Sequence, residues 1–121
     1  MTWMKAYNDT QNTPLLSRVR HCASFTCQLR GLMFRRTLDE QEGLVLIGQT
    51  ENRLASAIHM FFVFFPIAAI WLDRQGRVVD AQLARPFRPV YLPQSAAKDV
   101  LEGSPTLLDK VKIGDHIRFE E

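Results

Sequence analysis

Apolar positions follow two rhythms along this 121-residue chain: short mixed stretches near both ends and a nearly unbroken apolar run in the middle. Trp3 to Tyr7 and Leu15 to Cys22 read as short strands, separated by the turn-prone segment "NDTQNTP". In "SFTCQLRGLMFRR", Ser24 stands where a helix cap belongs. Phe25, Leu29, Leu32 and Met33 recur at helical spacing, which predicts a short amphipathic helix. Gly31 inside it predicts close packing against a neighbour or an early helix end. "LVLIG" and "AAKDVLEG" read as further strands. "SPTLLDKV" is a well-formed helix start, with Ser104 at the cap and Pro105 at the first helical position. "IGDHIRFEE" predicts a Gly-Asp turn and a final strand.

The central run decides the class of protein. Nineteen residues between Arg53 and Asp73 carry no Asp, Glu, Lys or Arg, a length that could cross a bilayer. Ser56, His59 and Pro66 interrupt it, however, and "MFFVFFPIAAIWL" is aromatic and β-branched, which favours strands. Asp73-Arg74-Gln75-Gly76 is then a turn signal before another strand-like run. We therefore expect no membrane span but two core strands, Ala57 to Val63 and Ile67 to Leu72, covered on both faces. "ARPFRPVYLP" follows the hairpin with three prolines in eight residues and predicts an irregular loop.

Length and composition fit one domain over residues 1–121 with a core of its own. Net charge is only +2, although eleven of the fifteen basic residues are arginine, the side chain suited to carboxylate and phosphate. Cys22 and Cys27 form neither a CxxC pair nor a disulfide framework. Placed on one helix they would meet poorly, so two reduced thiols and a cytoplasmic protein are expected. "MTWMKAYNDTQNTP" lacks the basic and apolar regions of a signal peptide.

"LRGLMFRRTLDEQEGLVLI", "IHMFFVFFPIAAIWLDRQGRVV", "AKDVLEG" and "VKIGDHIRF" stand in one order, covering about Val19 to Phe119. Together they resemble a bacterial and archaeal family known as domain of unknown function 192. The resemblance implies a mainly β fold, α+β at the margin: a single compact antiparallel sandwich or barrel-like domain with one or two short helices. It implies no activity. Family members of this type usually carry a basic residue before Phe-Pro and an Asp two residues after Pro. Here those places are Phe64 and Ala68. A buried ion pair exchanges whole for apolar packing more readily than by halves, so the two positions are expected to face each other.

Three residues make a candidate ligand pocket: His59, Arg30 and Glu102. His59 is the one side chain in the apolar run that titrates near neutrality; it reads as a hydrogen-bonded core histidine or as a pocket residue. Glu102 lies in "DVLEG", where it shares a strand face with Val100. If that face is buried, the carboxylate needs a partner, and Arg30 at the start of "RGLM" is the expected one. With no HxH or HxxxH spacing, no metal or cofactor is expected, and no catalytic residue is assigned. Arg74, Arg77, Arg85 and Arg88, with Phe87 and Tyr91, are the stretch through which nucleic acid could be held, provided they share one face. Asp73 and Asp80 dilute that charge, so nucleic acid is not the expected partner. The leading expectation is a non-catalytic module that binds a small molecule or another protein. A small enzyme built on His59, Arg30 and Glu102 is the alternative, and a nucleic-acid module the second.

Overall fold

A computed structural model describes residues 3–121, apart from the Phe25 side chain. Seven strands form one sheet: β1 (Trp3–Asn8), β2 (Thr13–Cys22), β3 (Glu42–Ile47), β4 (Ile67–Leu72), β5 (Val78–Ala84), β6 (Asp99–Gly103) and β7 (Ile117–Glu120). Their spatial order is β5-β4-β6-β3-β2-β1-β7. The fold is mainly β, with one α-helix, α1 (Phe25–Arg30), and one 3-10 turn, Pro105–Asp109.

The sheet is mixed rather than wholly antiparallel, because β2 and β3 run parallel. The connection between them carries α1, and a parallel pair needs such a crossover. The sheet curls until its two edges touch. Val78 donates its N–H to the Asp115 carbonyl, Ile117 donates to Gly76, and Arg77 bridges His116. Beyond that contact β5 and β7 do not pair, so the sheet stays an open curl instead of a barrel.

Alternation along each strand divides the interior into two layers. Leu15, Val19, Val45, Ala68, Ile70, Leu101, Leu107 and Ile117 fill one face of the sheet. Leu44, Ile67, Ala69, Trp71, Val100, Met60 and Val63 fill the other, under α1 and the loops. β4 is buried at all six positions, which is why its sequence reads as continuous apolar residues. Gly76, at φ +79°, closes the β4–β5 hairpin where Asp73 Oδ1 accepts from the Gln75 and Arg77 N–H groups.

Two expectations fail here. Residues 57–63 are not a strand: only Ile58 bridges Tyr91, and Phe61 and Phe62 point outward. An aromatic run reads alike as a buried strand and as a loop that throws its rings to the surface. Cys22 and Cys27 are joined in a disulfide, with Cα atoms 5.6 Å apart. They do not share a helix, because Cys22 ends β2 and Cys27 lies inside α1 beyond the Ser24 cap. The thiol argument for a reducing compartment goes with that pairing. Among the described residues no helix is long and apolar enough to cross a membrane.

Candidate functional site

β6 lies between β3 and β4, and Glu102 is opposite Leu44 on one side and Ala69 on the other. Val100 shares its face and packs among the buried residues beneath α1, so the strand's alternation drives the Glu102 side chain inward. Glu102 is only 4% exposed. Among the described residues no hydrogen bond or ion pair reaches its carboxyl group. Burial alone, with no cation to oppose it, pushes that carboxyl up to about 8. Glu102 is therefore a neutral carboxylic acid through most of the physiological range, a hydrogen-bond donor as well as an acceptor.

The carboxyl lines a cavity of about 80 Å³. Leu32, Met60, Val63 and Val100 supply apolar walls, and Gln28, Arg30 and His59 lie around it as polar groups. α1 is set over this site by capping at both ends. Ser24 Oγ accepts from the Cys27 N–H, and the Gly31 N–H donates to the Cys27 carbonyl. Gln28 Nε2 donates to the Ile47 carbonyl, tying the helix to β3.

The three candidate residues thus line one cavity, but not in the arrangement expected. Arg30 makes no ion pair with Glu102; its side chain is exposed on the last turn of α1. The short helix ends there, and Gly31 rather than Arg30 faces the carboxyl. His59 is half-buried, with Nε2 2.9 Å from the Leu29 carbonyl and Nδ1 accepting from the Phe61 N–H. A carbonyl only accepts and an N–H only donates, so His59 is held as the Nε2–H tautomer with both nitrogens engaged. It fastens the loop to α1 and offers no free nitrogen as a base.

Residues 6–119 match the DUF192 family, described as "Uncharacterized ACR". The chain belongs to that family. A UPF0127 protein of Thermococcus sibiricus is 37% identical over 115 residues, covering 93% of this chain and 73% of that protein. The UPF0127 protein of Pyrococcus horikoshii is 34% identical over 114 residues, covering 93% and 96%. A crystal structure of a protein of unknown function from Novosphingobium aromaticivorans has a TM-score of 0.82 at 20% identity, over 97% of this chain and 84% of that one. A second, from Sinorhizobium meliloti 1021, reaches 0.83 at 15% identity, over 98% and 96%. At these identities the two crystal structures speak for the fold alone.

No activity is established for DUF192 proteins, so this member's site rests on its own geometry. Phe64 and Ala68, expected to face each other, do not form a facing pair. Phe64 is exposed against the Phe87 ring at 5.5 Å between centroids, whereas Ala68 is fully buried in the opposite core layer. The arginines 74, 77, 85 and 88 also fail to converge. Arg74 and Arg77 stand at the hairpin before β5, where Arg77 Nη1 donates to the Gly114 carbonyl. Arg85 and Arg88 lie past the other end of that seven-residue strand, roughly 20 Å away. Among the arginine pairings that sequence reasoning missed is Arg35 with Glu42, a bidentate bond of 2.5 and 2.9 Å. Among the described residues no cluster of three or more His, Cys, Asp or Glu side chains is arranged to hold a metal.

Proposed function

We propose that this DUF192 protein is a non-catalytic binding module whose small-molecule site is the Glu102 cavity. A single observation carries the reading: a largely buried carboxyl, bonded by no other group among the described residues, opens on a cavity walled by both apolar and polar side chains. Buried polar groups in folded proteins nearly always have partners, and one without a protein partner is placed to meet a ligand. The chemistry defines what fits. The cavity is small, about 80 Å³, so the group that reaches Glu102 is a compact one. A compact apolar group bearing a carbonyl or amide oxygen would accept from the Glu102 acid, and a larger molecule would extend past Arg30. His59 supports this reading over catalysis, since both its nitrogens are committed to backbone.

Nuclear magnetic resonance titration with small branched amides and ketones near neutral pH is the test. The expected result is amide shifts confined to Gly31, Leu32, Val100 and Glu102, weakened about tenfold in Glu102→Met, which removes one charge-free hydrogen bond. Shifts at unrelated surfaces, or equal binding by the variant, would remove Glu102 from the site. Small amines that bind better than amides would show that the carboxyl ionises on binding and that the neutral-acid reading is wrong.

A further inference from the structure

Large apolar side chains are exposed at eleven described positions, and eight of them fall in three neighbouring segments, residues 29–36, 54–64 and 85–90. These segments are laced together by backbone bonds. The Phe34 N–H donates to the Phe62 carbonyl, the Phe87 N–H donates to the Met60 carbonyl, and the Met60 N–H donates to the Arg88 carbonyl. The result is a chain of touching rings. Phe34 stacks on Phe62 at 5.1 Å, Phe62 meets Phe87 edge-on at 6.2 Å, and Phe87 meets Phe64 at 5.5 Å.

The backbone beneath these rings is strained. Four non-glycine residues have positive φ, and three are phenylalanines of this group: Phe34 at 64°, Phe62 at 56° and Phe87 at 65°. Bulky residues rarely adopt that conformation, and such strain is retained where the side chain it presents is needed. Here each ring is about half exposed, so no core packing compensates.

Charge narrows the occupant. The three segments contain five arginines (30, 35, 36, 85 and 88) and no Asp or Glu; Arg35 is already paired with Glu42, which leaves four without a carboxylate partner among the described residues. Arg36, Arg85 and Arg88 are exposed beside the rings. A second copy docked through this face would set arginines against arginines with no carboxylate between them. Phe61, Phe62, Phe64 and Phe87 project rather than line the Glu102 cavity or the hollow beside α1, which Phe34 borders with Arg30 and Arg35, so they offer a peptide no walled groove. The stacking of Phe34 on Phe62 also occupies one face of each of those rings, which single-stranded nucleic acid would need. Projecting aromatic rings ringed by cations suit the boundary between headgroups and acyl chains.

We propose that residues 29–36, 54–64 and 85–90 form a peripheral docking face for a bilayer bearing anionic phospholipid headgroups. The rings enter the interface, and Arg36, Arg85 and Arg88 pair with lipid phosphates. Cosedimentation with vesicles of phosphatidylcholine, alone or mixed equally with phosphatidylglycerol, tests this. The protein should bind the mixed vesicles and not the neutral ones, and added salt should weaken binding. Asparagine tolerates positive φ, so the double variant Phe62→Asn, Phe87→Asn removes two rings and relieves the backbone together. It should melt no lower than the parent and bind the mixed vesicles at least about tenfold more weakly. Arg85→Gln with Arg88→Gln should lose the preference for phosphatidylglycerol. Absence of binding to the mixed vesicles overturns the proposal, as does unchanged binding by both variants. Ring-dependent dimerisation or oligonucleotide binding, with vesicles ignored, overturns it equally.

Discussion

Gly31 stands directly over Glu102: a Cβ built on Gly31 would lie 4.0 Å from Oε1 of the buried carboxyl. Gly31 also has φ +46° and ψ −121°, a conformation that side chains other than hydrogen rarely allow. One residue therefore ends α1 and leaves room above the acid. Gly31→Ala should destabilise the fold by about 1 to 3 kcal/mol through backbone strain. A urea midpoint shifted at unchanged slope would show it.

Glu102 makes stability depend on pH in an unusual direction. Its folded value is about 8 against an ordinary 4.5, so between those limits the folded state holds a proton that the unfolded state has released. The contribution is complete below 4.5, declines as pH rises, and is gone above about 8. Stability should fall by about 1.4 kcal/mol per pH unit within that window. Glu102→Gln should flatten the slope, measured as urea midpoints near its two ends. Equal slopes in both proteins would mean that the carboxyl is already ionised or solvated.

Glu42 behaves oppositely. The Arg35 hydrogen bonds hold its carboxyl below the ordinary 4.5, against the opposing effect of burial. Its stabilisation is present above that value and lost as pH falls through the lowered one. The pair is partly solvated, with Arg35 36% exposed, so Glu42→Gln should cost only about 1 kcal/mol. The loss should shrink in high salt. A salt-independent loss of several kcal/mol in thermal melts would contradict this.

Asp115 is the polar node of the fold. Burial raises its carboxyl, but Oδ2 accepts from Asn8 Nδ2 at 2.8 Å, the Lys112 N–H at 2.9 Å and Gln11 Nε2 at 2.7 Å, and these hold it low. Asp115→Ala would leave the fully buried Asn8 amide short of an acceptor. Chemical denaturation should record a loss of about 2 to 4 kcal/mol.

What could be read from the chain follows from which signals are local. β4 emerged at its observed bounds, because burial on both faces writes six apolar residues in a row and a turn signal ends them. The burial of Glu102 was legible from two-residue alternation with Val100. Its solitude was not, because reach along the sequence does not say where a helix stops, and Gly31 stops this one with Arg30 facing water. Ser24 as the cap of α1 and Cys22 as the end of β2 separate the two cysteines, so the spacing argument for a shared helix does not apply and the disulfide it counted against forms. The parallel β2–β3 pair and the outward turn of Phe62 depend on contacts distant in sequence. The predicted helix was too long: α1 ends at Arg30, so Leu32 and Met33 lie in the turn beyond it, and Leu29 is exposed; the Phe25 side chain lies outside the described residues.

β1 finds its outer neighbour in β7, with Lys5 opposite Glu120, so the two pair across almost the whole length of the chain. β7 also follows directly on the contact that joins the sheet to the β4–β5 hairpin. On the ribosome, β1 and β2 can form a hairpin early, but that hairpin carries a bare hydrogen-bonding edge until β7 has emerged. Closure of the sheet thus waits for β7. A nascent chain stalled before Ile117 would present that open edge to chaperones, or to other nascent chains, for as long as the stall lasts.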